Sequence, residues 1–286
     1  MRKLLVPALL LHAVLLFAIW QQLSVVALEA QNPDDSNPAI TGFTFVEKNA
    51  QGYPEYTHDS SGIHFVRLPG GSFNMGSPAS ETRHNVNEAP VHAVSLSPFL
   101  ITKYEVTQAQ YEAVMTGHEW LDPTPSFRTG SNRPVEQVSW ANLYLPDGFI
   151  RRTGLSLPSE AQWEYACRAG TPGPYAGTGN LDDMGWHTGN SGRQTHDVGS
   201  KKPNQFGLHD LHGNLWEWCE DKYDSAFYSK PAAAKPNPVA TSGADRVVRG
   251  GSFDYPAAYC RSAYRSAGLP GDRSKFIGFR LARTLP

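Results

Sequence analysis

Cysteine is scarce in this chain, charge is nearly balanced, and only one stretch stays hydrophobic for long. Cys167, Cys219 and Cys260 are the three cysteines in 286 residues. They form no CxxC, and no Cys/His pair has zinc spacing, so a structural zinc site is excluded. An odd count leaves at most one internal disulfide and one spare thiol. A net charge of −2 argues against an electrostatic nucleic-acid binder. No internal repeat of solenoid period is present.

The one hydrophobic run, Leu4 to Trp20, follows Arg2 and Lys3. That is the layout of an export signal, with small residues for cleavage after Ala27 and a second option at Ala30. The rival reading is an uncleaved membrane anchor, for which the run is slightly short. The expectation is a signal peptide over residues 1–27 and a secreted or periplasmic mature chain. A linker and N-terminal extension is expected over 28–61, since Asn32-Pro33-Asp34-Asp35-Ser36-Asn37-Pro38 is linker-like in composition. The domain is then expected over 62–286.

Glycine and proline are plentiful, 26 and 22 residues, beside 7 Trp and 12 Tyr. This suits a loop-rich domain pinned by aromatic packing and excludes a helical bundle. Ile63, Phe65 and Leu68 predict a strand before the Gly70-Gly71 turn, and Val91 to Leu96 predicts another, continued by Phe99-Leu100-Ile101. Thr107 should cap a short helix over Gln108 to Met115, and Ser159 a second one ending at Arg168-Ala169-Gly170. Pro134 to Trp140 reads as a strand leading to a turn. Thr171 to Asn204 reads as a long ordered loop. Short strands resume at Val247 and end with Phe276 to Ala282.

Seven stretches in order carry a family likeness. They begin with Pro69-Gly70-Gly71-Ser72-Phe73-Asn74-Met75-Gly76-Ser77, Tyr104-Glu105-Val106-Thr107 and Pro134-Val135-Glu136-Gln137-Val138-Ser139-Trp140. Next come Leu157 to Arg168 and Gly213-Asn214-Leu215-Trp216-Glu217-Trp218. Arg249-Gly250-Gly251-Ser252-Phe253 and Ile277-Gly278-Phe279-Arg280-Leu281 complete the set. Together they resemble the formylglycine-generating enzymes, or sulfatase-modifying factors. The resemblance implies a single α+β domain of the C-type-lectin-like kind, with little regular secondary structure and structural calcium. Such enzymes oxidise a client sulfatase cysteine to formylglycine. Between Trp140 and Leu157 the family places an amphipathic helix; Pro146 and Gly148 predict that it is shortened or distorted here.

The resemblance also implies site residues. Two thiolates hold Cu(I), a soft ion that prefers sulfur, at three and eight residues after the Gly-Gly-Ser serine. Three after Ser252 stands Tyr255, a hard phenol; eight after stands Cys260. Counting back from Arg265 instead brings Cys260 nearer a structural position. Under both registers the copper pair is incomplete. Candidate catalytic residues are Cys260, Ser252 and Trp216, with Asn214 and Arg249 beside them. The likeness implies a Cys167–Cys260 disulfide with Cys219 free, and calcium on Asp210, the carbonyls of Gly213 and Leu215, and Glu217, a donor set of hard oxygens. On a strand, Trp216 and Trp218 would share a face with Glu217 opposite, so a groove role for Trp216 needs a turn or bulge. Arg280 is expected in a structural ion pair or in backbone contacts, not in catalysis. His209, His212, His92, His187 and His196 show no ligand pattern, and Thr107, Ser139 and Ser252 no recognisable triad.

Three functions remain open from the sequence. The first is an exported oxidase acting on a client sulfatase or other exported protein. The second is a non-catalytic family member that binds a client protein, a peptide or a glycan through the same groove. The third is a different enzyme on the same scaffold.

Overall fold

Thr107 and Ser159 start helices by the same device. Each hydroxyl accepts the amide N–H three residues on, while Gln110 or Gln162 at that position returns a bond to the cap's own N–H. The helices that follow are α1 (Gln108–Met115) and α4 (Glu160–Arg168). Between them lie two fragments, α2 (Trp140–Leu143) and α3 (Phe149–Thr153). The Pro146-Asp147-Gly148 segment separates them, so the family helix is indeed broken here.

This computed structural model describes residues 37–286. The expected signal peptide and the start of the linker, up to residue 36, lie outside the described residues.

Eleven strands are described: β1 (Phe43–Lys48), β2 (Pro54–His58), β3 (His64–Leu68), β4 (Gly71–Met75), β5 (His92–Leu96), β6 (Phe99–Thr102), β7 (Trp216–Lys222), β8 (Arg246–Arg249), β9 (Ser266–Gly268), β10 (Ile277–Gly278) and β11 (Ala282–Thr284). They make a five-stranded sheet β1-β2-β3-β6-β11, a four-stranded sheet β10-β7-β8-β9 and the hairpin β4-β5. Among the described strands, only β10 and β7 pair parallel. The folded domain therefore begins well before Gly62, a correction to the expected linker over 28–61. In the edge strand β1 only Phe43 is buried, and the interior strand β2 reads Pro-Glu-Tyr-Thr-His, which carries no apolar alternation. The Pro134–Trp140 segment also departs from expectation. It makes an isolated bridge, Thr107 with Pro134, and turns out of extended geometry at Gln137, φ 60°. The Thr171–Asn204 stretch is ordered turns around one short helix, α5 (Leu181–Met184).

Strand β7 divides the core. Trp216 and Trp218 join one apolar cluster with Phe149, Phe279 and Val248. Glu217 points the other way, toward Trp163 of the second cluster. The expected strand alternation thus holds, and the ladder slips with β8 only between Trp218 and Lys222. The turn before β7 requires Gly213: at φ 103°, a Cβ there would lie 2.1 Å from the Trp186 carbonyl oxygen.

Candidate functional site: the Gly213–Trp218 turn and the Tyr255 face

Glu217 is completely buried beside Arg280. Arg280 donates from Nε to Glu217 Oε2 at 2.6 Å and from Nη2 to Oε1 at 2.7 Å. The Trp163 indole donates to Oε2 at 2.7 Å. This is the structural ion pair expected for Arg280. Two more acids stand close by. Glu105 accepts from Asn214 Nδ2 at 2.6 Å and from the Leu215 N–H at 3.0 Å. Burial, together with Asp210 and Glu217, pushes the Glu105 carboxyl well above its usual range. Asp210 is pushed up to about 6, chiefly by burial. Its Oδ2 accepts the Gly199 N–H at 2.7 Å, while its Oδ1 is buried with no hydrogen-bond partner.

The expected calcium ligands meet this geometry unevenly. Asp210 fits, since an orphaned buried carboxylate oxygen is the kind of group a cation completes. Glu217 is less free: three donors already occupy its two oxygens. Gly213 and Leu215 lie in the same turn. Among the described residues, no group of three or more His, Cys, Asp or Glu side chains is arranged to hold a metal. A cation here would rest on Asp210 and carbonyls, with Glu217 shared with Arg280.

Copper chemistry is not fitted by the residues present. Cys260 is fully buried, and burial raises its thiol to about 12. It sits behind the Gly250-Gly251 turn, where a Cβ on Gly251 would approach its sulfur to 2.6 Å. Its backbone oxygen lies 2.7 Å from His212 Nδ1, and the Cys167 sulfur lies 3.7 Å from His212 Nε2. His212 is pushed down to about 4 by burial, so it stays neutral and brings no charge to stabilise a thiolate. Cys167, Cys219 and Cys260 are all free thiols. The expected Cys167–Cys260 disulfide is thus corrected: both cysteines adjoin one histidine ring, but no bond joins them.

Trp216 faces elsewhere. Its ring meets Tyr255 at 5.5 Å, Tyr264 at 5.9 Å and Tyr259 at 6.5 Å. Tyr259 also packs against Tyr264 at 4.8 Å. The three tyrosines are half-buried over a Trp216 that is only 4% exposed. Such rings present apolar faces with polar tips. Ser252 is fully buried and its hydroxyl has no hydrogen-bond partner. All three candidate catalytic residues are buried: Trp216 underlies the tyrosines, and Cys260 and Ser252 have no exposed surface.

Asn214 and Arg249 take structural places. Asn214, at φ 61°, accepts the His196 N–H at 2.9 Å. Arg249 donates to Glu160 at 2.9 Å and to Glu164 at 2.6 Å. Arg265 donates to Glu160 at 2.6 and 2.8 Å. Sequence reading assigned no roles to Glu105, Glu136, Tyr259 and Tyr264. The first two lie in family stretches noted above, and that was the available signal. The tyrosines are brought together only by the turns after Ser252.

Comparison with known proteins agrees with this geometry. The family described as "Sulfatase-modifying factor enzyme 1-like domain" matches residues 51–285. A formylglycine-generating enzyme of Streptomyces coelicolor is 34% identical over 280 residues, covering 76% of this chain and 88% of that protein. The Mus musculus formylglycine-generating enzyme is 29% identical over 300 residues, covering 82% and 79%. Among solved structures, PvdO from Pseudomonas aeruginosa aligns with a TM-score of 0.69 at 27% identity, covering 86% of this chain and 100% of that one. Treponema denticola variable protein 1 aligns at 0.64 and 27% identity, again over 86% and 100%. The C-type-lectin-like α+β fold expected from the sequence is the fold observed, and the chain belongs to the formylglycine-generating enzyme, or sulfatase-modifying factor, family.

Proposed function

We propose that this chain is an exported, non-catalytic member of its family, which binds a peptide segment of a client protein through the Trp216–Tyr255–Tyr259–Tyr264 face. The observation that carries the reading is the place of Tyr255. A phenol packed on Trp216 stands where the family resemblance puts a copper thiolate. The other candidate thiol, Cys260, is buried and protonated at neutral pH. Cu(I) needs a second soft ligand, and oxygen from a phenol does not replace it. A cluster of half-buried aromatics remains, and amphipathic rings of that kind suit peptide recognition.

The oxidase reading loses weight on the same grounds, and a sulfatase is retained only as one candidate client. A glycan would also stack on such rings, and the reading here commits to a peptide. Calcium at Asp210, with the Gly213 and Leu215 carbonyls and Glu217, belongs to the proposal as a structural ion.

The test is titration of a sulfatase peptide that carries the client cysteine, followed by fluorescence anisotropy of a labelled peptide. Saturable binding that weakens about ten-fold in Tyr255→Ala and Tyr259→Ala supports the reading. Binding that is absent, or unchanged in both variants, overturns it.

A further inference from the structure

Next to the Trp216 ring cluster, across Phe276, which packs on both Tyr255 and Phe253, Glu136 lines a small open cleft together with Phe127, Arg128, Arg193, Thr195, Phe253 and Lys275. Glu136 is 2% exposed. Its Oε1 accepts the Phe127 N–H at 2.6 Å and the Arg128 N–H at 3.2 Å. Its own N–H donates to Ser126 Oγ at 3.2 Å. The carboxyl is thereby fixed in one orientation, yet Oε2 is buried with no hydrogen-bond partner. Leaving a buried acceptor unsatisfied costs about 1–3 kcal/mol, so this atom asks for a donor that the chain does not supply.

The charges point to the rest of the ligand. Arg128, Arg193 and Lys275 border the cavity. The opposing acids are Glu136 itself and Asp254, which holds Arg193 at 3.0 Å. Three cations against two acids leave the pocket positive, so an anion is favoured. Apolar walls complete it. Phe127 is 65% exposed, with the Lys275 ammonium 5.5 Å from its ring centre. Phe253 packs on Phe276 at 5.5 Å.

An anion, an adjacent hydrogen-bond donor and an apolar group are the three features of the last residue of a peptide. We propose that this pocket captures the free C-terminus of a peptide ending in an apolar residue. Its carboxylate would meet Arg128, Arg193 and Lys275, and its terminal amide N–H would donate to Glu136 Oε2. Its side chain would pack against Phe127 and Phe253. C-terminal carboxylate capture is a recurring recognition mode. The proposal does not draw on the tyrosine face and stands separately from it.

The experiment is an NMR titration of the isotope-labelled full domain with acetyl-Gly-Gly-Leu as the free acid. Parallel arms use the same peptide as its C-terminal amide and acetyl-Gly-Asp-Gly-amide, which carries its carboxylate on a side chain. The free acid should shift the backbone amides of Phe127 and Arg128 in a saturable way. The amidated and aspartate peptides should bind at least about ten-fold more weakly. Arg128→Gln with Lys275→Gln alters exposed side chains only and should weaken the free acid by a similar factor. Glu136→Gln should weaken it too, because its amide presents hydrogens to the ligand N–H. Equal binding of acid and amide, equal binding of the aspartate peptide, or no shift at millimolar peptide overturns the proposal. Should Glu136→Gln fail to fold, the surface double variant decides.

Discussion

Arg280 reaches across from the chain segment after β10 and closes on Glu217 with two hydrogen bonds, 2.6 and 2.7 Å long, in a site that excludes water. Both side chains come from stretches that carried the family likeness, and the third partner, Trp163, comes from α4. The pair ties β7 to the C-terminal segment and to the helix at once.

Breaking that pair from one side should therefore be severe. Arg280→Met or Glu217→Leu alone leaves a buried charge uncompensated and should lower unfolding free energy by about 3–5 kcal/mol. The double variant should recover part of the loss, because neither charge then remains. Urea denaturation of the four proteins measures this. Strictly additive losses would show that the two residues act independently.

The thiols give a second check. Burial raises Cys167 and Cys260 to about 12 and Cys219 well above its usual range. The native protein should resist a thiol-specific reagent at neutral pH, and denaturation without reductant should release three reactive thiols. One released thiol per chain would restore the Cys167–Cys260 disulfide.

Stability should also carry the titration of Glu136. Burial lifts its carboxyl from 4.5 to about 7, so the folded state binds more protons across that window. Its stabilising contribution is then full below the window and falls as pH rises through it. Solvent at the cavity mouth screens the charge, so the loss should be on the order of 1–2 kcal/mol. Glu136→Gln should flatten this part of the stability profile. An unchanged slope in the variant would assign the titration to another group.

Calcium should raise the melting temperature if Asp210 Oδ1 is completed by the ion, since a ligand that binds only the folded state stabilises it by mass action. Melts of wild type and Asp210→Ala, each with calcium or with chelator, make the comparison. The rise should appear in wild type alone. Four equal melts would remove the ion from this turn.

How far these features could be read in advance depended on their range along the chain. Caps are local, so Thr107 with Gln110 and Ser159 with Gln162 announced their helices. The opposed faces of Trp216 and Glu217 followed from strand periodicity alone. Strands β1 and β2 did not announce themselves: β1 is an edge strand with one buried residue, and β2, inside the sheet, buries Glu55 and His58 beside Tyr56, which leaves no apolar rhythm. Pro134–Trp140 reads as a strand in the sequence, but Gln137, at φ 60°, breaks the extended geometry and only the isolated bridge from Pro134 to Thr107 forms. Arg280 was expected in an ion pair, yet its partner lies 63 positions away, beyond any local pattern. Glu136 was visible as a letter in a motif. Its unpartnered oxygen is a property of three-dimensional packing.

The place of Tyr255 is the point on which the functional reading turns, and one assay meets it directly. Mass spectrometry would follow a sulfatase peptide that carries the client cysteine, incubated with this protein, Cu(I) and oxygen. A copper-loaded formylglycine-generating enzyme serves as the positive control. Because a phenol and a buried, protonated thiol do not make a copper pair, the peptide should keep its thiol. Conversion of that thiol to the aldehyde by the wild-type protein, lost in Cys260→Ser, would contradict the non-catalytic reading and return the chain to the oxidases.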